Sequence, residues 1–412
     1  MTFNEIDYGF LDRLSKEQGD CFYLLDTKLF EDNYNNMLSA FRKYYESTSI
    51  AYSYKTNYLP ILCKMIDTLG GYAEIVSEME WWLAKKIGID TAKVYYNGPY
   101  KKPDVIEEFL LEGGHLNIDA EYEAKIVRDI ANKHPNQIFE VGLRCLVDID
   151  QDESSRFGLD ISDGTFDKVY DELSGLSNVK IVGLHLHLPF RNLETFKARM
   201  VALKDILGHI TRLNELKYIS LGGGYMGVVD AELAAEFSFV PPTYEDYAKV
   251  VAGGFSEAIH SLKLNNDIKL IIEPGSALVA NVMRLVTRVV NIKHSRDRYI
   301  ATLTGSTYNM NPSVKGVRRT IDVYSDCEKY DRSKVYDSLD MAGYTCIEGD
   351  YLYRGYKGKL SERAFVVFRN VGSYSVVMKP PFILPDVAVV EIADSKVIKS
   401  KQTSEHVFEN TL

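Results

Sequence analysis

Between residues 49 and 275 the chain alternates short apolar runs with longer amphipathic segments. The runs are Ser49–Lys55, Tyr72–Ser77, Lys93–Gly98, His115–Asp119, Phe139–Cys145, Ile181–Leu188, Tyr218–Gly224 and Lys269–Gly275, and their apolar or alternating character reads as β-strand. Each is followed by helical spacing, as in Glu78-Met-Glu-Trp-Trp-Leu-Ala-Lys-Lys86 and in Glu121–Ala131. Alternating β and α units of this number predict an α/β fold, a (β/α)8 TIM barrel. An open doubly wound sheet is the alternative, because a pattern of runs does not show closure. From about Val282 onward the character changes. Leu285–Ile292, Ala364–Arg369, Ser373–Val377 and Ala388–Ile392 read as strands without long helices between them, which predicts a C-terminal antiparallel β domain. Cys21–Leu25 reads as a further strand of that domain. The expected division is therefore a barrel over 26–280 and a β domain over 1–25 and 281–412. Helix Lys28–Tyr45, with Leu29, Phe30, Tyr34, Met37, Leu38, Phe41 and Tyr45 on one stripe, reads as a core-packing connector.

Composition sharpens this picture by exclusion. The chain has 412 residues, 46% of them hydrophobic, enough to bury a large core in two domains. A net charge of −10 argues against a nucleic-acid or anionic-membrane surface. The start, Met-Thr-Phe-Asn-Glu-Ile-Asp7, has neither a basic nor an apolar leader region, and no apolar run is long enough to span a bilayer, so the expected location is cytoplasmic. Cys21, Cys63, Cys145, Cys327 and Cys346 are scattered and show no metal-type pairing, so neither a disulfide framework nor a metal is expected. Tyrosine is unusually frequent, at 28 residues, and nothing in the pattern explains it.

In a barrel the carboxyl ends of the strands converge on one mouth, the place of active sites. Here those ends carry Lys55, Ser77, Asn97, Asp119, Arg144, His187, the triple glycine Gly222, Gly223 and Gly224, and Glu273. A lysine at the end of a buried strand loses hydration, which favours a neutral amine able to form Schiff bases with carbonyls; the plainer reading is a strand-end lysine with its head in water. The glycines let backbone N–H groups approach an anion, in the region where barrels commonly bind phosphate, or else form only a tight turn. Glu273 lies in an apolar run, where a charge needs a partner; a pyridinium N–H or an ion pair with Arg144 would serve. His185 and His187 point to one side of their strand. A metal pair there would need further ligands, and His115 starts its strand at the opposite end of the barrel. His187 is then read as a neutral imidazole stacking on a planar ring, and His185 as that or as a satisfied core histidine. Schiff-base lysine, glycine cradle, ring-facing histidine and carboxylate together meet the requirements of pyridoxal 5′-phosphate (PLP), whose protonated ring is an electron sink for a carbanion left by departing carbon dioxide.

Read motif by motif, the chain resembles the alanine-racemase-fold PLP decarboxylases of diaminopimelate, ornithine and arginine. Tyr54-Lys55-Thr-Asn57 is similar to the family's Lys-Ala-Asn motif, Gly71-Tyr-Ala-Glu-Ile-Val-Ser77 to Gly-x-x-Asp-Val-Ala-Ser, and Asn117-Ile-Asp119 to Asn-Val-Asp. Ser155-Arg-Phe-Gly158, Gly183-Leu-His-Leu-His187, Gly222–Gly224, Glu273-Pro-Gly275, Cys346-Ile-Glu-Gly-Asp350 and Gly372-Ser-Tyr374-Ser follow in the family's order. The resemblance implies that Lys55 holds PLP, His187 stacks on its ring, Glu273 binds its pyridine nitrogen, Arg144 faces its ring-oxygen side, and Gly222 to Gly224 with Tyr374 hold its phosphate. It implies a homodimer in which Cys346, offered across the interface, protonates the carbanion left after decarboxylation of an amino acid. Racemases of this fold set an arginine against the pyridine nitrogen, so Glu273 argues for decarboxylation over a racemase or epimerase. A PLP-binding relative of low activity is a third reading.

The departures concern phosphate and substrate. Ser276 stands where the family has the arginine of Glu-Pro-Gly-Arg, and Phe190 where it has a serine. Ile347 replaces the acidic residue that reads a distal amine, with Glu348 one place on, and Asn311-Pro-Ser-Val-Lys315 replaces the Arg-Pro-x-x-Tyr segment that reads diaminopimelate's distal carboxylate. The expected substrate is accordingly not diaminopimelate but a modified or conjugated amino acid, met by Asn311, Lys315, Ile347, Glu348 and Asp350, with Lys315, Arg318 and Arg319 as anionic contacts.

Overall fold

The computed structural model of the protein describes residues 1–146, 155–265, 267–311, 319–326, 334–379 and 381–411. They form two compact units, one of Glu31–Gly227 with Pro242–Ala277 and the other of Met1–Phe30, Val228–Pro241 and Leu278–Leu412. Val228–Pro241 groups with the second unit although it falls inside the 26–280 span.

The first unit is a closed barrel of parallel strands: β1 (Thr48–Ser53), β2 (Tyr72–Ile75), β3 (Val94–Tyr96), β4 (His115–Ile118), β5 (Phe139–Cys145), β6 (Val179–Leu186), β7 (Tyr218–Ser220) and β8 (Lys269–Ile272). Closure is direct, with Thr48 of β1 opposite Leu270 of β8. Strands buried on both faces read as unbroken apolar runs, as Leu-Ile-Ile does in β8. The helices between them start at punctuating residues. Ser77 accepts from the Glu80 N–H and caps Glu78–Lys86, Asn192 accepts from the Thr195 N–H and caps Leu193–Gly208, and Pro60 and Pro103 open their helices.

The floor of the barrel accounts for part of the tyrosine content. Tyr95, Tyr218, Ala51, Val182 and Ile271 form one buried cluster. The Tyr218 ring fills the space left by Gly183, where a Cβ would lie 2.0 Å from it, and its hydroxyl donates to Asn117 Oδ1 at 2.8 Å. His115 stacks on Tyr95 at 4.6 Å in this floor, the end of the barrel expected from its place at the start of β4. Tyrosine thus combines ring volume with a hydroxyl that satisfies a buried acceptor.

Most strands stop earlier than the apolar runs suggest. The run through Gly224 ends at Ser220 because Gly222 and Gly224 take φ of +66° and +97°, outside the extended region. The run through Lys55 ends at Ser53, whose N–H is drawn to the Pro274 carbonyl at 3.3 Å.

The second unit is a separate sheet. Phe22–Leu25 pairs antiparallel with Met283–Ser295 and parallel with Ala388–Glu391. Met283–Ser295 also pairs antiparallel with Arg298–Leu303 and Phe365–Phe368, and Arg298–Leu303 lies parallel to Lys334–Ala342. The sheet is therefore mixed, with antiparallel pairs in the majority. Ser373–Val377, expected as a strand, is a turn: Tyr374 has φ +60°, and a Cβ on the preceding Gly372 would lie 1.8 Å from the Val279 carbonyl. That close backbone approach fixes Gly372 on the Ala280 carbonyl at 3.0 Å and turns the chain away from the sheet.

Candidate functional site

Lys55 stands just beyond β1 on a 3-10 turn, Tyr54–Thr56. The turn brings its ammonium to the Glu74 carboxylate of β2, which is buried while the lysine side chain keeps 36% exposure. Glu74 Oε1 accepts from Asn97 Nδ2 at 3.0 Å, and the same amide nitrogen donates to Glu273 Oε1 at 3.1 Å. Two carboxylates can only accept, so the Asn97 amide must present its nitrogen to both. Its oxygen in turn accepts from Asn117 Nδ2 at 2.7 Å, which carries the network on to the Tyr218 hydroxyl. Burial disfavours the Lys55 ammonium, yet Glu74 and Glu273 act against burial and the net pKa is raised. The expected neutral amine is thereby corrected to a cation. Desolvation acts as anticipated and is the largest single effect, but the carboxylates together outweigh it.

Glu273 follows β8 and is buried. Besides Asn97 it accepts from Ser220 Oγ at 2.7 Å, and its Oε2 lies 3.1 Å from His185 Nε2. Burial alone would raise its pKa, but His185 and Lys55 oppose it and hold the carboxyl well below the usual carboxylate range. A carboxylate offers about four acceptor positions, of which these three contacts leave one on Oε2. His185 must carry its proton on Nε2 to face a carboxylate, and its buried Nδ1 has no partner among the described residues. The alternative partner, Arg144, is elsewhere: its guanidinium donates to Asp119 Oδ1 at 2.8 Å and lies over the Phe157 ring at 4.6 Å.

His187, half-buried beyond β6, accepts the Gly223 N–H on Nδ1 at 2.9 Å. Burial and the charges of Arg199 and Arg144 push its pKa well down, so the ring is neutral. The glycines after β7 are required by space as well as by φ. A Cβ on Gly222 would meet His187 at 2.7 Å, and one on Gly223 would meet the Glu273 carbonyl at 2.6 Å. Gly222 N–H is also committed, to Ser220 Oγ at 3.2 Å. Two of the three glycine donors expected to face phosphate are therefore spent inside the loop.

Arg199 was not among the expected residues and holds this loop from behind. Fully buried on helix Leu193–Gly208, it donates to the carbonyls of Leu221 (2.6 Å), Gly223 (2.9 Å) and Leu188 (2.7 Å). Burial pulls its pKa to about 10. Arg199→Leu is expected to destabilise the fold by about 3 kcal/mol or more, since three buried carbonyls lose their donor at roughly 1–3 kcal/mol each. Urea unfolding, read as a lower midpoint at unchanged slope, checks this.

The candidates of the second unit are placed within that unit. Cys346, Ile347 and Glu348 are exposed on the loop that precedes strand Tyr351–Leu360. Asp350 shapes this loop: Oδ1 accepts from the Thr307 N–H and hydroxyl, both at 2.8 Å, and Oδ2 from the Thr345 hydroxyl at 2.7 Å. Its carboxylate is spent on its own surroundings. Asn311 is buried, with its N–H on Ser375 Oγ at 3.0 Å, one residue beyond Tyr374. Lys315 and Arg318 lie outside the described residues; Arg319 is described, and burial lowers its pKa.

Residues 31–280 match the family model "Pyridoxal-dependent decarboxylase, pyridoxal binding domain". The chain belongs to this decarboxylase family. Its cofactor is PLP and its reaction class is that of a carboxy-lyase. Curated relatives include the diaminopimelate decarboxylases of Aquifex aeolicus, 25% identical over 98% of this chain and 94% of the relative, and of Archaeoglobus fulgidus, 25% identical over 89% and 86%. Similar folds include diaminopimelate decarboxylase from Helicobacter pylori complexed with L-lysine (TM-score 0.82, 21% identity, 97% and 98% covered). Another is the arginine decarboxylase of Paramecium bursaria Chlorella virus (TM-score 0.72, 18% identity, 91% and 97% covered).

The barrel residues fit the cofactor on their own chemistry. Oε2 of Glu273 keeps an acceptor position for a ring N–H, the unpartnered Nδ1 of His185 marks a polar site left incomplete, and the glycines leave a cradle that any Cβ would fill. Of the residues missed from sequence, Glu74 carried a readable signal. It is a charge inside the apolar run Tyr-Ala-Glu-Ile-Val76, the same cue that singled out Glu273.

Proposed function

We propose that the chain removes the α-carboxylate of an amino acid other than free diaminopimelate, a modified or conjugated one, with Lys55 as the residue that holds PLP. The linked network Lys55–Glu74–Asn97–Glu273 carries this assignment, because it sets an amine and an ionised carboxylate at fixed positions beyond β1 and β8. When bound, PLP supplies the electron sink that stabilises the carbanion formed as carbon dioxide leaves. Glu273 keeps the ring nitrogen protonated, since its own carboxyl stays ionised far below neutral pH. His187, neutral and fixed through Nδ1 by Gly223, would present its face to the ring. Arg144, tied to Asp119, would face the ring-oxygen side. Cys346 is exposed on its loop and returns the proton at the substrate carbon.

The substrate assignment rests on the loop around Cys346. The curated relatives' names point to diaminopimelate. Against that, the position after Cys346 holds Ile347, 40% exposed, and the carboxylate of Asp350 is engaged within the loop. An exposed apolar side chain favours a substrate whose distal end is capped or uncharged there. Exposure of both Cys346 and Ile347 is what a homodimer with shared active sites needs, and it supports that assembly. Among the described residues no helix is long and apolar enough to cross a membrane; we assign the protein to the cytoplasm.

Carbon dioxide release by the PLP-loaded protein should be measured with diaminopimelate, lysine, ornithine, arginine and their Nε- or γ-conjugated derivatives. The expected result is a kcat/KM for a conjugated amino acid at least about 10-fold above that for diaminopimelate, the discrimination available from roughly one apolar contact. A higher kcat/KM for diaminopimelate would refute the substrate assignment and leave the reaction class intact.

A further inference from the structure

A phosphate dianion held at the mouth of a barrel needs N–H donors and positive charge. Within the barrel unit the obvious suppliers are already occupied. Gly222 and Gly223 have spent their N–H groups on Ser220 and His187. Arg199 is sealed behind the loop on three carbonyls, too deep to touch a ligand. Ser276, immediately beyond the Glu273-Pro-Gly275 turn, offers a hydroxyl and no charge.

Arg191 fills this gap. It lies on the loop after β6, its side chain is exposed, and its Nη2 donates to Ser276 Oγ at 3.4 Å. Among the described residues no carboxylate pairs with it, so its charge is not cancelled locally. Its backbone is fixed: the Arg191 carbonyl accepts from the Tyr247 hydroxyl at 2.5 Å, and that hydroxyl, on a buried ring, also accepts the Met226 N–H at 3.2 Å. One tyrosine therefore ties the Arg191 loop to the loop that follows the glycines. Asn192, the next residue, is locked as the cap of helix Leu193–Gly208. The carbonyls of Leu188 and Phe190 lie against Gly224, where a Cβ would come within 3.1 and 2.7 Å of them. Arg191, Ser276 and Gly224 are thus gathered by the loops after β6, β7 and β8. The Arg191–Ser276 contact uses one N–H of a guanidinium that has five, and leaves the serine O–H free to donate.

We infer that Arg191 is the side-chain cation for the phosphate of the cofactor, working with Ser276, so that a guanidinium delivered from the β6 loop stands in for one absent at position 276. The inference rests on the family's cofactor and not on the substrate assignment.

Equilibrium dialysis of the full-length protein against PLP and, separately, against pyridoxal tests it, because the two differ only in the phosphate. Arg191→Gln is expected to raise the Kd for PLP about 10- to 100-fold, as loss of a charge-assisted contact does, and to change the Kd for pyridoxal less than about 2-fold. The double variant Arg191→Gln with Ser276→Arg is expected to recover most of the PLP affinity. An unchanged Kd for PLP in Arg191→Gln, or equal weakening of PLP and pyridoxal, would overturn the inference. Arg191 is exposed, so the single variant should keep the wild-type unfolding midpoint, and the PLP-to-pyridoxal ratio decides the matter even if the double variant does not fold.

Discussion

Mixed with PLP, the Lys55→Ala protein is expected to show no Schiff-base absorption band and to release carbon dioxide from its substrate at least about 10,000-fold more slowly than wild type, the scale of loss on removing a residue central to covalent catalysis. The position is specific to Lys55. Its amine is bonded to Glu74 and lies in the field of Glu273. Because these two carboxylates raise its pKa above the ordinary lysine value against the effect of burial, the free protein holds the ammonium form at neutral pH. Attack on the cofactor aldehyde requires the neutral amine, so loading of wild-type apoprotein should accelerate as pH rises from neutral. A linkage sign follows: a raised folded-state pKa means that the Lys55 charge contributes stability below the ordinary lysine pKa, and that this contribution is lost as pH rises through the folded value. Faster loading and a small loss of apoprotein stability at alkaline pH should therefore appear together, in stopped-flow absorbance and in urea unfolding. A Lys55→Ala protein that keeps the band would place the cofactor on another amine and remove the basis of the catalytic assignment.

The barrel was legible because parallel strands covered on both faces are nearly uniform apolar runs, and every expected run from Ser49–Lys55 to Lys269–Gly275 overlaps an observed strand. Their ends were less legible, because a 3-10 turn at Tyr54–Thr56 and left-handed glycines at 222 and 224 depend on backbone contacts that no periodicity reports. The second unit was read only in part. Lys334–Ala342 and Tyr351–Leu360 pair with one another, yet their faces are largely solvated and charged, so they resemble loop in sequence. Ser373–Val377 shows the opposite error, an apolar stretch that a close approach at Gly372 bends into a turn. Within the site, Lys55, His187 and Glu273 were visible as residues ending runs. Arg199 was not, because an arginine in an amphipathic helix is ordinarily solvated, and only the three carbonyls gathered around it reveal its work.

Glu273→Gln is expected to retain PLP and its Schiff-base band while lowering kcat for decarboxylation about 100- to 1,000-fold, comparable to removing one preorganised electrostatic contact. The fold should tolerate the change. A glutamine oxygen can accept from Asn97 and Ser220 as Oε1 does now, and its NH2 group can face His185 once that ring moves its proton from Nε2 to the presently unpartnered Nδ1. What would be lost is the negative charge that, on the proposed assignment, favours a protonated ring nitrogen. No change of pH in a working range can imitate this substitution. The folded-state pKa of Glu273 is depressed, so its charge contributes stability above the ordinary glutamate value of 4.5 and is lost only as pH falls through a value well below it. The loss of rate should therefore be flat across neutral pH, without a new ionisation in the profile. With a weaker electron sink the partition of the bound amino acid also changes. Transfer of the α-proton to the Lys55 amine competes with loss of the α-carboxylate, and return of a proton to the opposite face would give enantiomer beside the amine product. Chiral chromatography of the reaction mixture reads this partition. Unchanged decarboxylation with no enantiomer would show that the carboxylate at 273 is only part of the barrel's structure, and that the chemistry draws its electron sink from elsewhere.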